Sequence, residues 1–191
     1  CGMGPRVPMY ILSPWTKGGW VNSVVADHAS VGQFIVMRFG IIIPAISPWH
    51  RAVSINLTSA FDFVRPNDPL VPRMPDTSNY EERDAASERL PTAKSPESPS
   101  ALFQEKGTRL SRALPYRLYC HLHNLKAESK IRLSFENAGT AGAVYHVYDM
   151  HHLDAIPRRY TVEAGKSLDD EWGVSEQGKY DLEVYGPNGY F

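Results

Sequence analysis

The sequence predicts an α+β chain: a remnant of an α/β domain followed by a small antiparallel β-sandwich. Three observations carry that expectation. Residues 1–64 run from a short apolar stretch through a glycine-containing polar loop to a helix entrance, the order in which open α/β sheets place strand, site loop and helix. Residues 113–191 alternate apolar and polar residues with period two, as antiparallel strands packed on one face do. Between them, residues 65–112 hold Pro66, Pro69, Pro72, Pro75, Pro91, Pro96 and Pro99 among Ser, Glu, Asp and Arg, a composition too polar to bury a core and read as a linker.

The elements follow in order. Val7–Leu12 is apolar on both faces, as a buried strand would be. It opens the chain without earlier strands to pair with, so the chain is expected to begin inside a domain. Asp27 is a suitable N-cap for a helix from about Ala29 to Phe39. Val31, Phe34, Ile35 and Phe39 fall at helical spacing and form its expected apolar face. Arg38 suits the last turn and Gly40 the C-terminal stop. Gly32 is an unusual interior residue, costing about 1 kcal/mol relative to Ala. The linker is expected to be extended, with Leu102, Phe103 and Leu110 as anchors.

In the third region, Tyr116, Leu118, Cys120 and Leu122 alternate with Arg117, Tyr119, His121 and His123. Ile131, Leu133 and Phe135, then Tyr160 and Val162, then Tyr180, Leu182 and Val184 repeat the pattern. Turns at Asn137-Ala138-Gly139, Ala164-Gly165-Lys166 and Gly186-Pro187-Asn188-Gly189 separate these strands, and the spacing is that of a sandwich. Phe191 follows a turn directly, where one more strand is expected. Cys120 reads as a buried free thiol; neither it nor Cys1 belongs to a Cys-x-x-Cys pair.

A net charge of -1 over 191 residues gives no reason to expect a nucleic-acid partner. No run of eighteen apolar residues is present, and residues 1–30 lack a charged region followed by an apolar core. His121, His123, His146, His151 and His152 have no carboxylate or Cys partner at metal spacing, so they are read as outward or interfacial, and no metal ligand is assigned. Arg158-Arg159 and Asp169-Asp170-Glu171 read as opposite charge runs on a solvated sheet face, with a contact to the other domain or to lipid headgroups as the alternative.

Several blocks together resemble the bacterial phosphocholine-preferring phospholipase C family, of the non-haemolytic and haemolytic type, related to bacterial acid phosphatases of the alkaline phosphatase superfamily. They are Gly4-Pro5-Arg6-Val7-Pro8-Met9, Ser13-Pro14-Trp15-Thr16-Lys17-Gly18-Gly19-Trp20-Val21, Asp27-His28 and Leu57-Thr58-Ser59-Ala60-Phe61-Asp62-Phe63 in the first region. In the β region they are Ala113-Leu114-Pro115-Tyr116, Phe135-Glu136-Asn137-Ala138-Gly139, Ala143-Val144-Tyr145-His146-Val147-Tyr148-Asp149, Pro157–Lys166 and Tyr185-Gly186-Pro187-Asn188-Gly189.

The resemblance implies that residues 1–64 are the C-terminal part of a phosphoesterase domain. Residues 65–112 would then be a linker, and 113–191 the first β-domain behind it. It implies a secreted or periplasmic enzyme acting on phosphatidylcholine or sphingomyelin at a membrane surface. The nucleophile and the ligands of a divalent metal would lie upstream of residue 1, with no cofactor in these residues, which alone would be inactive. Acid phosphatase specificity, or a β-domain serving only as a binding or scaffold module, are the alternatives. Ala26 and Ala29 stand where the family carries an aromatic residue and Thr, and Gly32 where it carries a large apolar residue.

Asp27 and His28 are the catalytic candidates in a supporting role, since a carboxylate beside an imidazole at a helix start can orient a base or hold a phosphate-contacting loop. Capping by Asp27 alone is the competing reading. Trp15, Lys17 and Trp20 are the substrate-binding candidates. Trp faces attract quaternary ammonium groups and Lys17 can meet a phosphate oxygen. Packing of the loop is the competing reading for both Trp residues.

Overall fold

The computed structural model describes residues 3–4, 6–65, 70–71, 73–98, 100, 106–125, 129–175 and 177–191. Leu102 and Phe103, two of the expected anchors, lie outside them. The chain divides into two units, residues 1–65 with 109–191 and residues 66–108.

The β region of the larger unit is built from alternation. β1 (Leu118–Leu125), β2 (Lys130–Asn137) and β5 (Lys166–Gly173) form one antiparallel sheet in the order β1-β2-β5. β3 (Ala143–Asp149), β4 (Arg158–Val162) and β6 (Leu182–Tyr185) form a second, in the order β4-β3-β6. Register places Cys120 beside Phe135, Leu133 beside Asp170 and Ile131 beside Trp172. Ile131, Leu133, Phe135, Ala143, Tyr145, Val147, Val162 and Trp172 form a closed core between the sheets. The Phe135 ring meets Tyr145 at 5.0 Å and Tyr160 at 4.4 Å, which fixes the spacing of the layers. Cys120 is half-buried, and burial pushes its thiol above the usual range.

The turns are as specific as the strands. Asn137 is fully buried, and its side chain donates to Ala141 O and Val162 O and accepts from Gly139 N. Gly139 is demanded there, because a Cβ would lie 2.2 Å from Pro115 O.

The two charge runs are largely solvated, as expected, but Arg158 and Asp170, one from each, meet in an inter-sheet clasp. Arg158 on β4 donates to Asp170 on β5 at 2.9 Å and to the Glu171 carbonyl, and its guanidinium lies 4.0 Å from the Trp172 ring centre. Tyr160 donates to the same carboxylate. Burial, reinforced by that contact with Asp170, raises Tyr160 to about 12. Burial works against the Asp170 charge, yet the bonds from Tyr160 and Arg158 prevail and hold it below the usual carboxylate range.

The N-terminal stretch of the same unit is organised differently. Val7–Leu12 is not a strand. Strand hydrogen bonds need a neighbouring strand, and none among the described residues lies beside it. Most of its side chains are accordingly open, Leu12 to 90%, with Ile11 half-buried.

α1 (His28–Phe39) forms with the expected caps. Asp27 accepts from Ser30 N, Ser30 Oγ accepts from Asp27 N, and Gly40 adopts the left-handed conformation. Its burial is opposite to the expected face. Ser30 and Gln33 are buried, whereas Val31, Ile35, Met37 and Phe39 are exposed. Gln33 turns inward because its amide donates to Ser54 O at 3.3 Å. Gly32 admits the Ile46 side chain, whose Cδ1 would lie 2.9 Å from a Cβ there.

α2 (Pro48–Val53), capped by Ser47, follows, and then a 3-10 turn at Thr58–Ala60 entered through Leu57 at φ 66.

Unit 66–108 contains α3 (Tyr80–Ser87) where only extended chain is expected. Its described residues are exposed throughout.

Candidate functional site

The first building block is the loop after residue 12. Thr16 folds it, accepting from Ser13 N and donating to Ile11 O, both at 2.9 Å. Gly18 and Gly19 both take positive φ, which non-glycine residues adopt at a cost. This turn leaves Lys17 on the surface and Trp15 45% exposed, with Trp20 half-buried.

The second block is the Leu57–Phe63 segment, which docks on that loop. Asp62 N donates to Trp15 O at 2.9 Å, and Asn22 Nδ2 donates to Ser59 Oγ at 3.0 Å. An aromatic row runs across the joint: Phe34 stacks on Phe61 at 5.2 Å, Phe61 on Phe63 at 5.3 Å, and Phe63 meets Trp15 at 5.8 Å. Leu57 is buried at a left-handed conformation that a branched residue adopts only when its surroundings hold it there.

The third block is Arg112. Val21 N donates to Leu110 O at 2.8 Å and Arg112 N donates to Val21 O at 2.9 Å, so the strand-like entry to the β region lies along the loop. Leu110 thus anchors through its backbone, with its side chain exposed. The Arg112 guanidinium stacks 4.3 Å from the Trp20 ring centre and donates to Ala60 O at 3.1 Å. Beneath them lies a cavity of about 160 Å³. Trp20, Ala26, Leu57 and Arg112 are among its walls.

Asp27 stands at the entrance of α1. One carboxylate oxygen caps Ser30 N and the other contacts His50 Nδ1. His28, its sequence neighbour, is exposed on the first turn and belongs to no such pair. Asp27 and His28 are therefore not brought together as a dyad; the imidazole at Asp27 comes from α2. Among the described residues no three His, Cys, Asp or Glu side chains gather as metal ligands would.

Two site residues were illegible in the sequence, His50 and Arg112. His50 reads only as part of a short helix, twenty-three positions from its partner. Arg112 is one arginine in a polar stretch, and its role depends on loops that precede it by fifty residues or more. The one signal it offered was its place directly before Ala113-Leu114-Pro115-Tyr116.

Further contacts bind the N-terminal stretch to the β region. Val25 N donates to Tyr116 Oη at 2.9 Å, Gly142 N donates to Ala52 O at 3.0 Å, and Trp49 Nε1 donates to Thr161 Oγ1 at 3.0 Å. Burial lifts the Tyr116 phenol above its usual range. Burial, then the Arg159 charge, depresses His146 on β3.

Known proteins place both parts. The family model described as bacterial phospholipase C, C-terminal domain, matches residues 110–191, and that of the phosphoesterase family matches residues 1–42. The chain is 49% identical over 189 residues to a non-hemolytic phospholipase C of Pseudomonas aeruginosa, covering 99% of this chain and 27% of that protein. A non-hemolytic phospholipase C of Burkholderia pseudomallei is 46% identical over 194 residues, with the same 99% and 27%. A hemolytic phospholipase C of Pseudomonas aeruginosa is 38% identical over 221 residues, covering all of this chain and 30% of that protein. The chain thus spans between a quarter and a third of these relatives' length. Residues 110–191 match the C-terminal domain of bacterial phospholipase C and residues 1–42 match the phosphoesterase family, and with both in one order the chain belongs to the bacterial phospholipase C family.

Proposed function

We propose that this chain is the C-terminal part of a secreted phospholipase C that hydrolyses phosphatidylcholine or sphingomyelin to diacylglycerol or ceramide and phosphocholine. The observation that carries the reading is the unbroken similarity to a non-hemolytic phospholipase C over 99% of the chain. The exposed apolar side of the N-terminal stretch supports it. Tyr10, Leu12, Ile35, Phe39 and Ile42 form the kind of surface that the remainder of a phosphoesterase domain would cover. In this reading a hydroxyl upstream of these residues attacks phosphorus, the lipid alcohol (diacylglycerol or ceramide) leaves with a proton, and water then cleaves the phospho-enzyme to release phosphocholine; a divalent metal, held by residues upstream of these, would supply stabilisation of the phosphate charge.

These residues contribute binding and order. Trp15, backed by Phe63, offers an open aromatic face to the quaternary ammonium, and Lys17 a surface cation to the phosphate. Trp20 already carries the Arg112 guanidinium on its ring, so its part is to hold the loop. Asp27 fixes the entrance of α1 and orients His50, with His28 beside it at the surface.

The test uses the full-length enzyme. Trp15→Ala is expected to lower turnover of a phosphocholine ester about tenfold more than that of a choline-free phosphate ester. Equal losses would contradict a headgroup role, and phosphocholine release by the 191-residue chain alone would contradict its assignment as a non-catalytic part.

A scaffold role for the β-domain is favoured over membrane recruitment by the contacts of Tyr116, Gly142 and Thr161 with the N-terminal stretch. Co-sedimentation of the full-length enzyme with phosphatidylcholine vesicles, unchanged by substitutions on the exposed β1 face at His121 and His123, would agree with a scaffold.

A further inference from the structure

We infer that Arg112 is a positioning residue: it transmits the placement of the β-domain to the Trp15–Trp20 loop and so sets the geometry in which the headgroup is met. The inference rests on the functional reading above and extends it to a residue outside the phosphoesterase segment matched at residues 1–42.

Two hydrogen bonds and one ring contact leave Arg112 toward two pieces of chain, the Trp20-Val21 end of the loop and the Leu57–Phe63 segment. Its backbone N donates to Val21 O, its guanidinium donates to Ala60 O at 3.1 Å, and the same group lies over the Trp20 ring, 4.3 Å from its centre. Trp20 ends the glycine-containing turn, and Ala60 sits in the segment that pins Trp15 through Asp62 N. Both loops therefore depend on one side chain that arrives from the β-domain side. Gly18 and Gly19 take positive φ, so the turn between Thr16 and Trp20 relies on residues outside it to hold Trp20 in place.

The guanidinium is also committed at some cost. Its Nε is buried with no hydrogen-bond partner among the described residues. A buried donor left unmade is unfavourable, so the site tolerates it only because stacking on Trp20 and the bond to Ala60 hold the planar group in that pose. Lysine could keep the charge but not the flat stacking and the directed bond together.

The same chemistry occurs at a second place, which supplies an internal control. Arg158 lies 4.0 Å from the Trp172 ring centre, at the open border between β4 and β5 and away from both loops. Removing it tests the loss of an arginine–tryptophan stack without touching the junction.

The experiment has two readouts. In the 191-residue chain, amide exchange at Val21 and Asp62 is measured for Arg112→Met, Arg112→Lys and Arg158→Met. Arg112→Met is expected to accelerate both amides about tenfold, Arg112→Lys less, and Arg158→Met not at all. In the full-length enzyme, Arg112→Met is expected to raise KM for a phosphocholine ester about tenfold with kcat within about twofold, while Arg158→Met leaves both unchanged. Unchanged exchange in Arg112→Met would overturn the inference. So would an equal KM rise in Arg158→Met, which would mark general destabilisation, or faster exchange with a flat KM. Absence of phosphocholine release by the unsubstituted enzyme would instead defeat the functional reading, leaving the exchange result to decide the junction by itself.

Discussion

The β region and the N-terminal stretch answer the same problem, where apolar side chains go, in opposite ways. From β1 to β6 the alternation closes on itself, so that Phe135, Tyr145 and Val147 see no solvent. In residues 6–64 many large apolar residues face outward, and although Val24, Ile46, Val53 and Leu57 are buried, on α1 it is polar Ser30 and Gln33 that take the interior positions. A sheet sandwich finds its partner layer within about seventy residues of its own sequence. Among the described residues, Val7–Leu12 and the exposed apolar face of α1 meet no such partner layer. The difference teaches that secondary structure and burial are separable. Asp27 and Gly40 set the limits of α1, but neither decides which side of it is covered.

The sharpest way to break this contrast is to empty the closed core. Phe135→Ala removes a ring packed between Tyr145 and Tyr160, and is expected to destabilise the β region by about 3–5 kcal/mol in urea unfolding. Phe39→Ser, at a position 67% exposed, is expected to change that midpoint by less than about 0.5 kcal/mol.

A smaller effect is expected at the seam between the regions. A Cβ at Gly142 would lie 2.5 Å from Ala52 O, so Gly142→Ala must separate α2 from the start of β3 or move both. A loss of about 1–3 kcal/mol follows from such overpacking. Near-ultraviolet circular dichroism should report the change through Trp49, whose indole is bonded to Thr161.

The smallest is a titration. Tyr160, raised to about 12, is expected to ionise after the exposed tyrosines in a spectrophotometric titration. The phenol binds its proton more tightly folded than unfolded. Its contribution to stability is therefore complete below pH ~10 and lost as the pH rises toward about 12. Asp170→Asn, which removes the carboxylate, should bring Tyr160 down toward the ordinary value. Burial remains the first cause, so the shift should be partial.

The contrast also explains what could be read in advance. β1, β2, β4 and β6 were legible because one face of each meets the core and the other meets solvent or a polar neighbour. β3 carries no such pattern. Val144, His146 and Tyr148 are half-buried, with Tyr148 packed on the Tyr185 ring, so both sides hold bulky residues. β5 hides behind Asp169-Asp170-Glu171, which suggests a solvated run until Arg158 is seen to reach across from the other sheet. In α1 the caps were legible because capping is local. Its buried face was not, because the carbonyl that draws Gln33 inward belongs to Ser54, twenty-one residues away. Of the site, Trp15, Lys17 and Trp20 were legible as a loop of suitable chemistry. The pairing of Asp27 with His50, and of Trp20 with Arg112, required the tertiary contacts themselves.

Amide exchange across the 191-residue chain tests the contrast most directly. Residues 131–135 and 145–147 are expected to open only with global unfolding, while residues 9–12, bonded to no neighbouring strand, exchange within about tenfold of an unstructured peptide. Protection of residues 9–12 equal to that of residues 131–135 would contradict the account, because it would mean that the N-terminal stretch is buried within this chain after all.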